Sequence, residues 1–138
     1  MNVVEFMKNN DQVSKWLGIE VIEAKEGYVC TQMLVRKDML NAAGVCHGGV
    51  IFSLSDYTFA VASNIYGNTA LAISANINFA NAAKQGDILI ATAKELNRTK
   101  KFGIYSIIIE RKSDKKLIAL FSGQVYIKSE KIVKDQYN

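Results

Sequence analysis

Proline is absent from this 138-residue sequence, and histidine and tryptophan each occur once. Without proline, the turns must rely on glycine, asparagine, aspartate and serine. The two cysteines, Cys30 and Cys46, are too few for a disulfide framework, and we expect both thiols to be reduced in a cytoplasmic protein. Two cysteines and one histidine are also too few for a structural zinc site, which usually takes four such ligands, so we expect no metal.

Long apolar runs and a strong charge excess are missing as well. No stretch reaches the roughly 18 apolar residues of a membrane-spanning helix, and the N-terminus lacks the pattern of a signal peptide, so we expect no membrane association. The formal net charge of +4 is too small to indicate nucleic-acid binding, although it suits an anionic ligand. The length and the 49% hydrophobic content predict one globular domain over residues 1–138.

The first half of the chain carries two helical patterns and a hairpin pattern. Apolar residues at helical spacing predict a short amphipathic helix over residues 2–16. Residues 17–35 are typical of a β-hairpin that turns at the sequence KEG. Residues 48–66 have apolar side chains on nearly every face, which is typical of a helix surrounded by other structure.

The second half alternates apolar and polar residues with period two, beginning at LAISANINF. This pattern predicts four strands joined by short links, and hence an antiparallel meander, followed by a loose polar tail over residues 128–138. Together the patterns predict an α+β fold in which an antiparallel sheet of about six strands curls around a long central helix. The uncovered face and edges of such a sheet predict oligomerisation.

One motif, NAAGVCHGGVIFSLSD, joins Asn41, the only histidine, a glycine pair and Asp56 within sixteen positions. It is followed in order by INFANAAKQGD, NRTKKFG and LIALFSGQVYI. Over residues 17–127 the chain resembles the hotdog-fold acyl-CoA thioesterases of the PaaI type. The resemblance implies a hotdog domain, homodimers that pair into homotetramers, and hydrolysis of acyl-CoA thioesters to free acid and CoA. It also implies that no cofactor is needed, because coenzyme A is part of the substrate.

Thioester hydrolysis needs a stabilised oxyanion, and a base or nucleophile on the other side of the carbonyl. A helix start offers unpaired N–H groups, and Gly48 and Gly49 have no Cβ atoms to obstruct a carbonyl. The resemblance implies that the Gly48 N–H polarises the thioester, although a tight turn would also explain the glycine pair. Asp56 has apolar neighbours in the sequence, where an unpaired carboxylate is costly; a solvated helix face or a cap for a neighbouring loop is the alternative. The resemblance makes it the nucleophile or the general base, and the sequence does not choose between them.

Helix geometry adds a prediction that does not depend on the family. Gly48 and Asp56 are eight residues apart, which is about 12 Å along a helix axis. A single carbonyl must lie within about 3 Å of both groups. We therefore expect two antiparallel central helices, with Gly48 of one chain opposite Asp56 of its partner, and a homodimer as the catalytic unit.

The remaining candidates surround this pair. By resemblance Asn41 lines the site, with an asparagine-based turn as the alternative. His47 is expected to cap the helix or bond the thioester region rather than act as the base, and Cys46 is expected to pack. Coenzyme A phosphates favour basic side chains, although a solvated charged turn is the alternative. The substrate-binding candidates are Gly49, Ser74, Lys84, Arg98, Lys100 and Lys101. Ala82 and Ala83 stand where the family often has proline, so we expect a looser loop there.

Two other functions stay open at this point. A hotdog domain can bind acyl-CoA without turnover, but known sensors of that type carry a DNA-binding segment. About 16 residues precede the first strand here, too few for a helix-turn-helix. A hydratase of the same fold uses a histidine and an aspartate in a different motif. The presence of Asp56 favours hydrolysis over binding alone. The first hypothesis is therefore a thioesterase that acts on an aromatic or medium-length acyl group.

Overall fold

The fold contains three α-helices, one short 3₁₀ turn and six strands within residues 2–134, which the computed structural model describes. The predicted α+β class and six-stranded sheet are confirmed. The elements in chain order are α1 Val3–Asn10, α2 Gln12–Leu17, β1 Glu20–Lys25, β2 Tyr28–Leu34, the 3₁₀ turn Lys37–Met39, α3 Gly48–Asn64, β3 Asn68–Phe79, β4 Ile88–Arg98, β5 Phe102–Arg111 and β6 Leu117–Lys131.

The strands form one antiparallel sheet in the order β1-β2-β4-β5-β6-β3. The predicted four-strand meander is therefore wrong in one respect, because β3 pairs with β6 and not with β4. The link between β3 and β4 passes the ends of the intervening strands: Ala80 N–H donates to the Ile118 carbonyl at 2.8 Å, and Arg111 donates to the Ala82 carbonyl at 3.0 Å. Period-two alternation shows that a strand has one buried face, but it does not show which strand lies beside it.

Helix α3 lies inside the curl of the sheet and contacts all six strands. Phe59 packs its ring between those of Tyr105 and Phe121, at centroid distances of 5.8 and 5.5 Å. A Cβ atom at Gly123 would lie 2.7 Å from the Phe59 ring. Strand β6 can therefore lie this close to α3 only because residue 123 is glycine. The prediction of a wrapped central helix is confirmed.

The N-terminal segment differs from the single helix predicted over residues 2–16. Two helices meet at Asp11, whose extended backbone (φ −81°, ψ 105°) ends α1. The Asp11 side chain caps α2 by accepting a hydrogen bond from the Ser14 N–H at 2.8 Å. A capping side chain stabilises a break that apolar spacing alone does not reveal.

The C-terminal boundary also differs from the prediction, because β6 continues to Lys131 and takes in the first four residues of the predicted tail. Its last residues pair with the start of β3, where the Asn68 side chain donates to the Lys128 carbonyl at 2.9 Å. Lys131 in turn donates to the Asn68 side chain at 3.1 Å. The final residues of the predicted tail, 135–138, lie outside the described residues.

Candidate active site

The start of α3 is built by its N-cap residue, His47. The Gly49 N–H donates to His47 Nδ1 at 2.8 Å, while the N–H groups of Val50 and Ile51 reach the His47 carbonyl at 3.0 and 3.2 Å. Within residues 2–134 the Gly48 N–H has no acceptor. One amide therefore remains unpaired at the positive end of the helix dipole.

The cap also determines what the imidazole can do. Because Nδ1 accepts from Gly49, the neutral ring carries its proton on Nε2. Nδ1 is therefore occupied and does not serve as a base in this arrangement. Local packing also favours glycine at both positions. A Cβ at Gly49 would lie 3.0 Å from His47 Nδ1, and one at Gly48 would lie 3.2 Å from the Phe79 ring.

Asn41 adopts the asparagine-based turn that was the alternative to a site role. Its Oδ1 accepts hydrogen bonds from the N–H groups of Ala43 at 3.0 Å and Val45 at 3.2 Å. Its Nδ2 takes no part in these bonds. Asn41 and Gly48 are brought together in one cleft of about 310 Å³, which we call the glycine cleft. It is lined by Asn41, Val45, Cys46, Gly48, Ile51, Phe79, Ala80, Asn81 and Ala82.

Asp56 lies in a second cleft of about 410 Å³, between α3 and the junction of the two N-terminal helices. We call it the aspartate cleft; it is lined by Asn10, Asp11, Gln12, Val13, Ser14, Ser53, Asp56, Tyr57 and Ala60. Asp56 is on the side of α3 that the sheet leaves uncovered, so its apolar sequence neighbours point to other faces of the helix. The expectation of apolar surroundings is wrong for the single chain, in which Asp56 is exposed.

The electrostatics of the Asp56 carboxyl nevertheless favour its neutral form. Partial enclosure of the carboxyl group in the cleft raises its pKa above the ordinary value, and the Asp11 carboxylate adds to the effect. Within residues 2–134 the carboxylate has no ion pair, since the salt bridges of this region involve other groups. A raised pKa and an unpaired carboxylate are properties of a general base.

The two clefts lie on the same helix but share no lining residue. A single chain therefore does not bring Asp56 and the Gly48 N–H to one carbonyl. The arrangement agrees with the helix-geometry argument from the sequence.

The basic candidates are dispersed. Arg98 donates through Nη1 to the Ser63 carbonyl at 3.0 Å and to the Tyr105 hydroxyl at 2.8 Å, and its guanidinium lies 3.9 Å from the centroid of the Tyr66 ring. These contacts are at the C-terminal end of α3 and do not support a phosphate role for Arg98. Lys100 and Lys101 are exposed on the adjoining turn, so their phosphate role stays a prediction.

Ser74 is within β3, and Lys84 is in the link that follows this strand. Lys84 is exposed in the β3–β4 link, two residues beyond Ala82 of the glycine cleft. Ser74 is exposed on β3 and lines neither of the two clefts. The substrate-binding role of both residues stays a prediction.

The β3–β4 link is held by hydrogen bonds where the family often has proline. Arg111 donates to the Ala82 carbonyl at 3.0 Å, and the Ala83 carbonyl accepts from the Cys46 N–H at 2.8 Å. The Lys84 N–H donates to Asp87 Oδ2 at 2.8 Å. These bonds do not support the expected looseness. Sequence reasoning missed the contribution of Arg111 to this link, because the two partners that lie in the link, Asp87 and Ala82, are 24 and 29 positions away and leave no local pattern.

Two further properties bear on the class of protein. No helix in the described part of the chain is long and apolar enough to cross a membrane. Among residues 2–134, no group of three or more histidine, cysteine, aspartate or glutamate side chains is arranged to hold a metal ion.

Comparison with known proteins identifies the family to which this fold belongs. The thioesterase superfamily model matches residues 43–118, a range that contains both Gly48 and Asp56. The chain belongs to the thioesterase superfamily.

Similar proteins within that superfamily carry the PaaI name. The acyl-coenzyme A thioesterase PaaI of Escherichia coli is 41% identical over 118 residues, covering 86% of this chain and 84% of that protein. The solved structure of Escherichia coli PaaI superposes with a TM-score of 0.91 at 38% identity and covers 94% of each chain. A protein of Archaeoglobus fulgidus is 46% identical over 124 residues, covering 90% of this chain and 80% of the relative. The predicted hotdog fold and PaaI-type resemblance are confirmed.

Proposed function

We propose that this protein hydrolyses acyl-CoA thioesters to a free acid and coenzyme A. The observation that carries the proposal is the pair of unsatisfied groups on α3: the Gly48 N–H at its start and the Asp56 carboxylate on its uncovered side. The 41% identity to the acyl-coenzyme A thioesterase PaaI of Escherichia coli supports the same substrate class.

In this proposal the Gly48 N–H stabilises the negative charge that develops on the thioester oxygen. The helix dipole strengthens the donor, and the missing Cβ lets the carbonyl approach the backbone. Asn41 lines the same cleft, and its Nδ2 is not used by the turn, so it is a second donor for the carbonyl or for a water. His47 holds the helix start through its cap and keeps an Nε2–H that can donate to the substrate.

Asp56 acts on the opposite side of the carbonyl, in one of two ways. As a general base it takes a proton from water, the water oxygen bonds to the carbonyl carbon, and the C–S bond breaks. As a nucleophile its oxygen bonds to that carbon to give a mixed anhydride, which water then opens. In both routes the thiolate of coenzyme A leaves and takes up a proton. A raised pKa increases the basicity of the carboxylate in either role.

The proposed site is completed by a second copy of the chain. Residues Gly49, Ser53, Asp56 and Ala60 form a stripe along α3, of which Gly49 and Asp56 are exposed. An antiparallel partner helix on this stripe would set Gly48 of one chain against Asp56 of the other, giving two sites in each dimer. Strand β3, 12 residues long, is at the edge of the sheet, and at least half of the surface of Leu71, Ile73 and Phe79 is exposed there. This strand offers a second surface for the partner chain.

Substrate binding in this proposal uses the positive charge of the chain. Lys84 is next to the glycine cleft and can reach a phosphate of coenzyme A from the loop. Lys100 and Lys101 lie at the other end of α3, so they can contribute only through a neighbouring chain. The hydrolysis as proposed needs no metal or bound cofactor, and pairing of dimers into tetramers stays a prediction.

A panel of acyl-CoA substrates, assayed with a thiol reagent, tests the proposed activity. Wild type is expected to release coenzyme A, and Asp56→Asn to reduce kcat about 10²- to 10⁴-fold while folding normally. Tight binding without turnover by wild type would instead support an acyl-CoA sensor. Near wild-type turnover by Asp56→Asn would overturn the assignment of Asp56.

Mixed dimers test the shared site separately. Chains with Asp56→Ala are combined with chains damaged at Gly48, after each has been shown to be inactive alone. If the sites are shared, the mixed dimer contains one site with both groups intact and recovers about half of the wild-type activity. No recovery, with mixing confirmed by mass spectrometry, would refute a site built from two chains.

A further inference from the structure

The junction of α1 and α2 forms one wall of the aspartate cleft, opposite the α3 wall that carries Asp56. All five residues from Asn10 to Ser14 line the cleft. The proposed reaction assigns no role to this segment, although it surrounds the reactive carboxylate.

Asp11 is fixed in this wall by several contacts. Its Oδ1 accepts from the Ser14 N–H at 2.8 Å, and the Ser14 hydroxyl donates to the Asp11 carbonyl at 3.1 Å. Ser14 is buried, with 3% of its surface exposed, and lines the cleft together with Tyr57, the residue after Asp56. Asp11 therefore cannot swing away from the cleft without breaking the α2 cap.

We propose that Asp11 is a positioning residue for the hydrolysis: it holds a fixed carboxylate across the aspartate cleft from Asp56 and thereby controls when Asp56 can act on the substrate. The proposal rests on the function of Asp56 proposed above. Asp11 does not touch the substrate in this proposal and acts only through its neighbour.

The charges of the cleft support this role. The titratable side chains among its lining residues are Asp11 and Asp56 on opposite walls and Tyr57 beside Asp56 on α3; no lysine, arginine or histidine lines it. A carboxylate that faces Asp56 across one space, with no cation between them, makes the ionised form of Asp56 less favourable. Partial enclosure is the main cause of the raised pKa of Asp56, and the Asp11 carboxylate is the second cause. Burial raises the pKa of Tyr57 as well, and Asp11 adds to that effect.

The substitution Asp11→Asn removes the charge and keeps the cap, because asparagine is as good an N-cap residue as aspartate. Asp11→Ser is a second neutral cap of different shape. Glu5→Gln is the matched control, since it removes one exposed carboxylate from the same N-terminal segment but lies outside the cleft. Thermal unfolding of each variant confirms that the helices remain docked.

The readouts are the pH profile of kcat/KM and the titration of the Asp56 carboxyl by carbon-13 NMR. Hydrolysis needs ionised Asp56, so activity is lost as the pH falls through its pKa. In Asp11→Asn and Asp11→Ser, the acidic limb and the NMR titration are both expected to move to lower pH, with no movement in Glu5→Gln. A purely structural role of Asp11 would lower activity without moving either curve.

An Asp56 titration that is the same in Asp11→Asn and wild type would overturn this inference, whether or not the protein hydrolyses thioesters. If the titration moves but wild type turns over no acyl-CoA, the proposed function fails and the electrostatic coupling stands. The NMR measurement needs no substrate, so the two failures are distinguishable.

Discussion

The two ends of α3 differ in how their polar groups are used. At the C-terminal end, Arg98 bonds the Ser63 carbonyl and the Tyr105 hydroxyl, and the hydroxyls of Tyr66 and Tyr105 both donate to Glu95 Oε1, at 3.0 and 2.9 Å. In the N-terminal half, the Gly48 N–H and the Asp56 carboxylate have no such partners within residues 2–134. Groups left open on an otherwise well-packed helix are available to a ligand or to a partner chain.

The difference predicts that the two ends fail in different ways. Damage at the N-terminal end should reduce turnover and leave stability nearly intact. Damage at the C-terminal end should reduce stability and leave the chemistry of the folded fraction nearly intact.

Of the changes at the two ends of α3, Gly48→Pro is expected to have the largest effect, because it removes the proposed oxyanion donor. Proline is favoured at the first position of a helix, and His47 already has the extended backbone (φ −60°, ψ 135°) that a following proline requires. Loss of one oxyanion donor should lower kcat about 10²- to 10³-fold, measured with saturating acyl-CoA.

Gly48→Ala is the control for this change, because it places a Cβ against the same Phe79 ring but keeps the N–H. It should lose less kcat than Gly48→Pro, because the donor is kept although the added Cβ narrows the approach of the carbonyl. Equal losses in the two variants would show that space beside Phe79, and not the amide proton, is what Gly48 provides.

A smaller effect, on stability, is expected for Arg98→Ala at the other end of α3. The substitution leaves the Ser63 carbonyl and the buried Tyr105 hydroxyl with one hydrogen bond fewer each, which costs about 1–3 kcal/mol for each group left unsatisfied. Denaturant unfolding should show this loss, with kcat of the folded enzyme changed only a few-fold.

Lys128→Ala serves as the comparison for Arg98→Ala, since Lys128 forms an exposed pair with Glu130 at 3.5 Å and should matter little. A raised KM for acyl-CoA in Arg98→Ala without loss of stability would support the phosphate role predicted for Arg98 from the sequence.

The smallest effect is expected for the thermal stability of Asp56→Asn. Because the pKa of folded Asp56 is raised, its ionised form is the less favourable one in the folded state. That cost is fully present above the raised pKa and disappears below the ordinary value. Asparagine should therefore raise the Tm slightly at about pH 8 and give no gain in acid, where wild-type Asp56 is itself protonated. A lower Tm at both pH values would contradict this interpretation.

Features with a local periodic signal were predictable from the sequence. The six strands, the hairpin turn and the wrapped helix follow from periods of two and 3.6 residues, and the start of α3 follows from the glycine pair at Gly48. The eight-residue separation of Gly48 and Asp56 also anticipated two separate clefts. These inferences depend only on residues close together in the chain.

Features that depend on tertiary contacts were not predictable. The pairing of β3 with β6 requires a link that crosses two strand ends, and no local pattern encodes it. The contacts that engage Arg98 join residues 7 and 35 positions away. The break at Asp11 had a local sign, an aspartate that can cap a helix, but its position opposite Asp56 follows only from how the N-terminal helices dock.

The open edge of β3 also affects what happens to each chain after it folds and before it associates with another copy. A newly folded chain presents the outer edge of the twelve-residue strand β3, with exposed apolar side chains beside it, and such an edge can pair with another strand. Correct assembly then competes with aggregation, and slow production at low temperature should favour soluble enzyme over inclusion bodies. If the site is shared as proposed, dilution should likewise reduce activity before it reduces secondary structure, because a chain without its partner would lack one of the two groups.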